Sequence, residues 1–141
     1  MKPTTHFIIV DDDAINNMMC KFSISKHFGH AKISAFDKPE AALEDIEQTK
    51  LTENLPIILF LDIHMPSMSG WDFLDRFEAF NEKIQQQFAI FILSGSVLHA
   101  DKEMAAAHPF VKGFLEKPLT GAKLEKVFRI LPDSFGVRCF E

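Results

Sequence analysis

Residues 56–62 read PIILFLD, an almost wholly apolar run that ends directly on a carboxylate. Strands that are buried on both faces give continuous apolar runs of this kind, because helices cover both sides of their sheet. A second such run, FAIFIL, occupies residues 88–93. The two runs predict interior strands of a parallel sheet.

Weaker strand patterns lie at residues 6–10, 31–36 and 113–116, and helical patterns fill the intervals between all five strands. The first helical pattern is a stripe of apolar residues at three- and four-residue spacing: Ile15, Met18, Met19 and Phe22. Five strands that alternate with five helices indicate βα units with right-handed crossovers. We therefore predict an α/β fold, a three-layer α/β/α sandwich around a five-stranded parallel sheet.

Composition narrows the functional class. The chain has 141 residues, which fits one domain over residues 1–131 and a short C-terminal tail over 132–141. Its formal charge of −5 disfavours nucleic acid as a partner, and no apolar run is long enough to cross a membrane. The two cysteines are too few for a disulfide scaffold, so the expected location is the cytoplasm.

Polar residues follow the predicted strands at the point where each strand ends. Asp11 and Asp12 follow the first strand, Asp62 the third, Ser94 the fourth and Lys117 the fifth. Because parallel strands place their carboxyl ends along one edge of the sheet, we expect these side chains to converge there. Each residue alone has a plainer interpretation as a turn former, a helix cap or a solvated surface group.

Convergence of three carboxylates creates a charge problem that a hard cation relieves. A pair of unit charges about 4 Å apart repels by roughly 1–4 kcal/mol, depending on the local dielectric. Mg²⁺ binds few carboxylates and accepts phosphate oxygens, and the Lys117 ammonium suits a phosphoryl group. Asp62 is then the expected nucleophile, since carboxylates accept phosphoryl groups.

At these residues the sequence resembles a response-regulator receiver domain of two-component signalling, over about residues 6–131. The resemblance rests on four motifs: IIVDDD at residues 8–13, LDIHMP at 61–66 with Gly70, ILSG at 92–95 and FLEKP at 114–118. It implies a flavodoxin-like sheet in the strand order 2-1-3-4-5. It also implies a stand-alone receiver, since about ten residues remain after the domain.

The resemblance assigns the metal and phosphoryl chemistry to particular residues. Asp62 would accept a phosphoryl group, and Asp12 and Asp62 would bind Mg²⁺ directly. Asp11 would act through a water molecule, and the backbone carbonyl of His64 would complete the protein ligands. The same family pattern expects no turnover of a separate substrate, only self-dephosphorylation, so we expect the chain not to be an enzyme.

The resemblance also assigns the residues that respond to phosphorylation. Ser94 and Lys117 would contact the phosphoryl group, and Phe114 would follow the movement of Ser94. The side chains of His64 and Ser96 would flank the phosphoryl group and influence its lifetime. The surface formed by the fourth helix, the fifth strand and the fifth helix would then select a downstream protein.

Partners and two competing functions complete the expectations. A histidine kinase or a phosphotransfer protein would supply the phosphoryl group, and the chain would be a monomer or a weak homodimer. One alternative is a phosphatase of the haloacid-dehalogenase type, because Asp11 and Asp13 have the spacing of its nucleophile and second acid. The other is a pseudo-receiver, an interaction module with the same fold and no phosphorylation.

Overall fold

The five predicted strands form in the computed structural model, which describes residues 5–48, 57–95 and 98–131. Six helices occur among these residues, and none of them is both long and apolar enough to span a bilayer. Along the chain the elements are β1 (His6–Val10), α1 (Ala14–His27), β2 (Lys32–Phe36), α2 (Pro39–Glu47), β3 (Ile57–Leu61), α3 (Gly70–Glu78), α4 (Glu82–Gln87), β4 (Phe88–Ser94), α5 (His99–Ala107), β5 (Val111–Glu116) and α6 (Gly121–Ile130).

All strand pairs are parallel and follow the order β2-β1-β3-β4-β5, which confirms the predicted fold. Val10, at the end of β1, lies opposite Phe36 on one side and Leu61 on the other. The residues that follow these strands therefore leave the sheet at one level. Every residue of β3 and β4 is buried, whereas only one of the six residues of β5 is.

Alternate strand residues supply two separate hydrophobic clusters, one on each face of the sheet. Ile8 and Val10 belong to the cluster that α2, α3 and α5 cover. Phe7 and Ile9 belong to the cluster that α1 and α6 cover. This division is the three-layer arrangement expected of a doubly wound sheet.

The expectation of five helices was wrong, because α4 lies between α3 and β4. This helix has six residues, EKIQQQ, of which Ile84 alone is buried. So short a segment with one apolar anchor has no detectable helical periodicity. The predicted fourth and fifth helices are accordingly α5 and α6. The predicted tail, residues 132–141, and Ser96 lie outside the described residues.

The apolar stripe of α1 faces solvent, although the stripe of an amphipathic helix ordinarily faces the core. We call this set the α1 apolar surface; three of its four side chains are 70% exposed, and its members are Ile15, Met18, Met19 and Phe22. The inner face of α1 instead carries Asn16, Asn17, Cys20 and Ile24. Two buried asparagines at the start of the helix explain the inversion, because they bond to the neighbouring strand end.

Candidate functional site

Three carboxylates meet at the carboxyl edge of the sheet. Asp11, Asp12 and Asp62 each offer an oxygen atom, and these atoms lie within 4.8 Å of one another. Asp11 and Asp62 are buried, and Asp12 is exposed at the mouth. The backbone N–H of Asp62 donates to Val10 O at 2.9 Å, which fixes the third strand end beside the first. An all-oxygen donor set that retains an open side fits a hard divalent cation such as Mg²⁺.

Lys117 supplies the positive charge of the site. Its Nζ lies 2.6 Å from Asp11 Oδ2 and 3.7 Å from Asp62 Oδ1. The backbone N–H of Lys117 donates to Ser94 O at 2.9 Å, and the Lys117–Pro118 peptide bond is cis. Burial lowers the pKa of the ammonium, but the carboxylates of Asp11 and Asp62 outweigh burial and raise that pKa. Lys117 therefore stays charged at neutral pH.

The surroundings of Asp62 disfavour the negative charge of its carboxylate. Burial and, secondly, the charge of Asp11 raise the pKa of Asp62 to about 6, although Lys117 opposes this shift. The backbone N–H of Ile63 donates to Asp62 Oδ1 at 2.9 Å. A buried carboxylate beside like charge gains from any reaction or ligand that removes this repulsion.

Two asparagines hold the first acidic residue in place. Asn16 Nδ2 donates to Asp11 Oδ2 at 2.7 Å, and Asn17 Nδ2 donates to Asp11 O at 2.9 Å. Neither asparagine is among the site residues predicted from the sequence. The polar pair at the start of α1, a helix whose neighbouring residues are apolar, is the signal that identifies them. Asp13 lies outside this cluster, because its carboxylate caps α1 by accepting from the N–H groups of Ile15 and Asn16.

The residues assigned to switching lie in β4 and β5, the two strands on one side of β3. Ser94 is the last residue of β4 and is fully buried. Phe114 lies in the middle of β5, is partly buried, and packs against the cluster beneath α5. Lys102 of α5 places its Nζ 6.0 Å from the centroid of the Phe114 ring.

The side chain of His64 points to α5. His64 Nε2 lies 3.3 Å from Asp101 Oδ2; the histidine side chain is 59% exposed, and that of Asp101 is 12% exposed. Asp101, which lies 37 residues further along the chain, is not among the site residues predicted from the sequence. Such a contact depends on where α5 packs, which no local pattern reveals.

A close backbone approach fixes the loop between β3 and α3. The N–H of Gly70 donates to Ile63 O at 2.8 Å. Ser69 and Asp72 then form a capping box that begins α3. A Cβ atom on residue 70 would lie 2.6 Å from Asp62 O and 3.0 Å from Ile63 Cα. Glycine is therefore required here for space, and this contact positions the backbone that carries Asp62.

We expect Gly70→Ala to lower the free energy of unfolding by about 1–3 kcal/mol, the usual cost of forcing extra atoms into a packed site. Both contacted groups belong to the backbone, so no side chain can rotate away. The matched control is Gly29→Ala, where a Cβ atom meets nothing within 4 Å. Urea titration measures both changes. Equal stability of the two variants would contradict the explanation.

The parallel sheet and its strand order define a flavodoxin-like fold, and the carboxyl edge of the sheet carries the acidic cluster. A model of the response regulator receiver domain matches residues 7–129 of the chain. The chain therefore belongs to the response regulator receiver domain family, a family of two-component signalling, as the sequence motifs predicted. Members of this family typically bind Mg²⁺ at an acidic pocket.

Solved structures share the fold over nearly the whole chain. A response regulator receiver protein from Dyadobacter fermentans has a TM-score of 0.83 at 24% identity, over 92% of this chain and 99% of that one. A two-component response regulator from Cytophaga hutchinsonii has a TM-score of 0.81 at 25% identity, over 92% and 96%. The chemotaxis protein CheY4 of Vibrio cholerae has a TM-score of 0.70 at 18% identity, over 91% and 99%.

A curated relative matches only part of the chain. Protein-glutamate methylesterase/protein-glutamine glutaminase 3 of Burkholderia thailandensis is 35% identical over 69 residues, which are 49% of this chain. The match spans 18% of that protein. The activities in that name are those of the longer protein.

Proposed function

We propose that the chain accepts a phosphoryl group on Asp62 from a histidine kinase or a phosphotransfer protein in the cytoplasm. The observation that carries this proposal is the state of Asp62, a buried carboxylate with a pKa raised to about 6 beside Asp11, Asp12 and the Lys117 ammonium. Metal-ligand oxygens and a fixed cation around one carboxylate suit phosphoryl transfer better than proton transfer or metal storage.

In the proposed reaction an oxygen of the ionised Asp62 attacks phosphorus and forms an acyl phosphate. The bond from phosphorus to the donor nitrogen breaks, and the electron pair stays with the donor. Lys117, 3.7 Å from Asp62, is placed to pair with the transferred oxygens. Asp12, Asp62 and the His64 carbonyl would hold Mg²⁺, with Asp11 acting through water, and the ion would neutralise charge on the phosphoryl group.

The transferred group carries roughly −1.5 to −2 units of charge. It replaces the single negative charge of the ionised Asp62 carboxylate, so the end of β3 gains about one negative unit. Ser94, buried at the adjacent strand end, is proposed to bond to the new oxygens, and Phe114 to follow it. Both residues lie beneath or beside α5. The surface formed by α5, β5 and α6 is therefore the proposed binding site for a downstream protein, unless the phosphoryl group passes onward to another carrier.

The direct test is incubation of the chain with acetyl phosphate, with Mg²⁺ or with a chelator. We expect the intact mass to increase by one phosphoryl group in the presence of Mg²⁺ only. Borohydride reduction of the acyl phosphate, followed by peptide mapping, should then place the modification at Asp62. Labelling at another residue would contradict the assignment of Asp62, and no labelling with Mg²⁺ would contradict the proposal and favour the pseudo-receiver alternative.

The α1 apolar surface is the proposed contact for the phosphodonor protein. Its four side chains begin three residues after Asp12, beside the mouth of the acidic cluster. Exposed apolar side chains that cluster on one helix face commonly mark protein–protein contacts. A donor that delivers a phosphoryl group to a buried carboxylate must cover the surface around the mouth, and this surface is part of it.

We expect Phe22→Ser to lower the rate of phosphorylation by a cognate protein donor by about tenfold or more, the loss typical of an interface anchor. Phosphorylation by acetyl phosphate should stay unchanged, because the small donor needs no docking surface. Ile130→Ser is the matched control, since Ile130 is an exposed apolar residue of α6. An equal loss with both donors would show a structural defect instead of a docking defect.

The phosphatase alternative has less support from the geometry. It requires the Asp13 carboxylate as an acid beside Asp11, but that carboxylate is engaged in capping α1. It also leaves the buried Asp62 carboxylate and the motif LDIHMP at residues 61–66 without a role. We therefore propose no turnover of a separate substrate, only hydrolysis of the chain's own acyl phosphate.

A further inference from the structure

The first turn of α5 contacts the two segments that flank the phosphorylation site. Asp101 contacts His64, which lies in the loop two residues after Asp62. The next residue, Lys102, contacts the ring of Phe114 in β5. From this arrangement we propose that Asp101 is a positioning residue, which holds the His64 imidazole across the mouth and so couples α5 to the lifetime of the phosphoryl group.

The position of the His64–Asp101 contact within the sheet supports this role. β3 and β4 are neighbouring strands, and their carboxyl ends carry Asp62 and Ser94. His64 follows β3, whereas Asp101 belongs to the helix that follows β4. A bond between them therefore spans the crevice between two adjacent strand ends. A ring that is fixed there narrows the path by which water reaches a phosphorus atom on Asp62.

The burial of Asp101 distinguishes it from ordinary surface acids. Its side chain is 12% exposed, and its partner His64 is the exposed member of the pair. The same helix carries a second histidine–carboxylate pair, His99 with Glu103 at 2.8 Å, whose side chains are 86% and 68% exposed. An exposed pair within one helix contributes little, whereas a contact that joins two elements transmits their movements.

The proposed coupling also acts from α5 towards the phosphorylation site. If the contact keeps water from the acyl phosphate, then a downstream protein that binds α5 and disturbs Asp101 shortens the life of the signal. The neighbouring Lys102–Phe114 contact ties the same turn to the proposed switch residue. This inference rests on the proposed function, because it concerns hydrolysis of the Asp62 acyl phosphate by water to carboxylate and inorganic phosphate.

The first experiment measures the rate of dephosphorylation after removal of acetyl phosphate. We expect Asp101→Ala to shorten the phosphoryl lifetime about threefold, the effect of one modest hydrogen bond. The rate of phosphorylation by acetyl phosphate should be unchanged. In a His64→Ala background, Asp101→Ala should have no further effect, which a merely structural role would not produce. Glu103→Ala is the matched control on the same helix.

Additive effects of Asp101→Ala and His64→Ala, or an equal effect of Glu103→Ala, would overturn the inference. A second measurement does not need phosphorylation: the imidazole resonances of His64, assigned with His64→Asn, should shift in Asp101→Ala and stay in place in Glu103→Ala. Unmoved resonances would overturn the inference even if the protein is phosphorylated normally. Shifted resonances in a protein that acetyl phosphate fails to label would contradict the proposed function and leave the contact established. The isosteric variant Asp101→Asn serves if Asp101→Ala does not fold.

Discussion

Asp62→Asn is expected to abolish phosphoryl labelling and, in the absence of divalent cations, to make the protein more stable near neutral pH. The gain should be about 1–3 kcal/mol, because a pKa raised from 3.8 to about 6 records a charge that the folded state disfavours. The amide keeps the shape of the side chain and removes the repulsion with Asp11. Loss of labelling in a more stable protein cannot come from misfolding.

The stability gained by Asp62→Asn is expected to depend on pH. The folded-state pKa of Asp62 lies above its unfolded value, so the ionised group destabilises the fold above about pH 6. The advantage of Asp62→Asn should therefore shrink as the pH falls from about 6 to 3.8 and vanish below 3.8, where both the folded and the unfolded state bind the proton. Urea titrations across this range measure the effect. Asp75→Asn, at an exposed position of α3, is the control; a stability gain that does not depend on pH would contradict the explanation.

Lys117→Met is expected to have the opposite effect on stability, a loss of about 2–4 kcal/mol near neutral pH. Methionine keeps most of the aliphatic chain but leaves the buried Asp11 and Asp62 carboxylates without the ammonium at 2.6 and 3.7 Å. The magnitude is below that of a fully buried pair because the lysine side chain is 21% exposed. Urea titration with a chelator present measures the change.

The two variants test each other. Because the pKa of Lys117 is raised in the folded state, the stabilising contribution of the ammonium is present at neutral pH. It is lost only as the pH rises through this raised pKa. The loss in Lys117→Met should be smaller below pH 6, where Asp62 takes up a proton, and smaller when Asp62→Asn is also present. Lys112→Met, at an exposed position of β5, is the control. Equal losses in the presence and absence of the Asp62 charge would show that the lysine acts through packing alone.

The interior strands could be predicted because their residues are almost all apolar, and such a composition by itself indicates burial on both faces of a sheet. The runs at residues 57–61 and 88–93 are apolar on both faces, and every residue of β3 and β4 is in fact buried. The convergence of polar residues then followed from the parallel arrangement, since one edge collects all carboxyl ends. The order of the strands depends on crossovers between distant segments, so the family resemblance and not the spacing supplied it.

Other features could not be read from local pattern. The orientation of α1 is set by Asn16 and Asn17, whose bonds to Asp11 outweigh the usual burial of its apolar stripe. α4 is too short to show a period. The contact between His64 and Asp101 joins residues whose proximity depends on how a helix packs. For α1 and for the His64–Asp101 pair, a specific tertiary contact determines what a short window of sequence cannot show.

The contrast between β3 and β5 has a mechanical consequence. Asp62, the proposed acceptor, directly follows β3, and every residue of β3 and of its neighbour β4 is buried, so we expect the peptide groups of these strands to be the slowest to exchange hydrogen with solvent. Phe114, the proposed switch residue, lies instead on the edge strand β5, in which one residue of six is buried. A charge added at Asp62 would therefore displace β5 more easily than β3, because less packing opposes the movement of the edge strand.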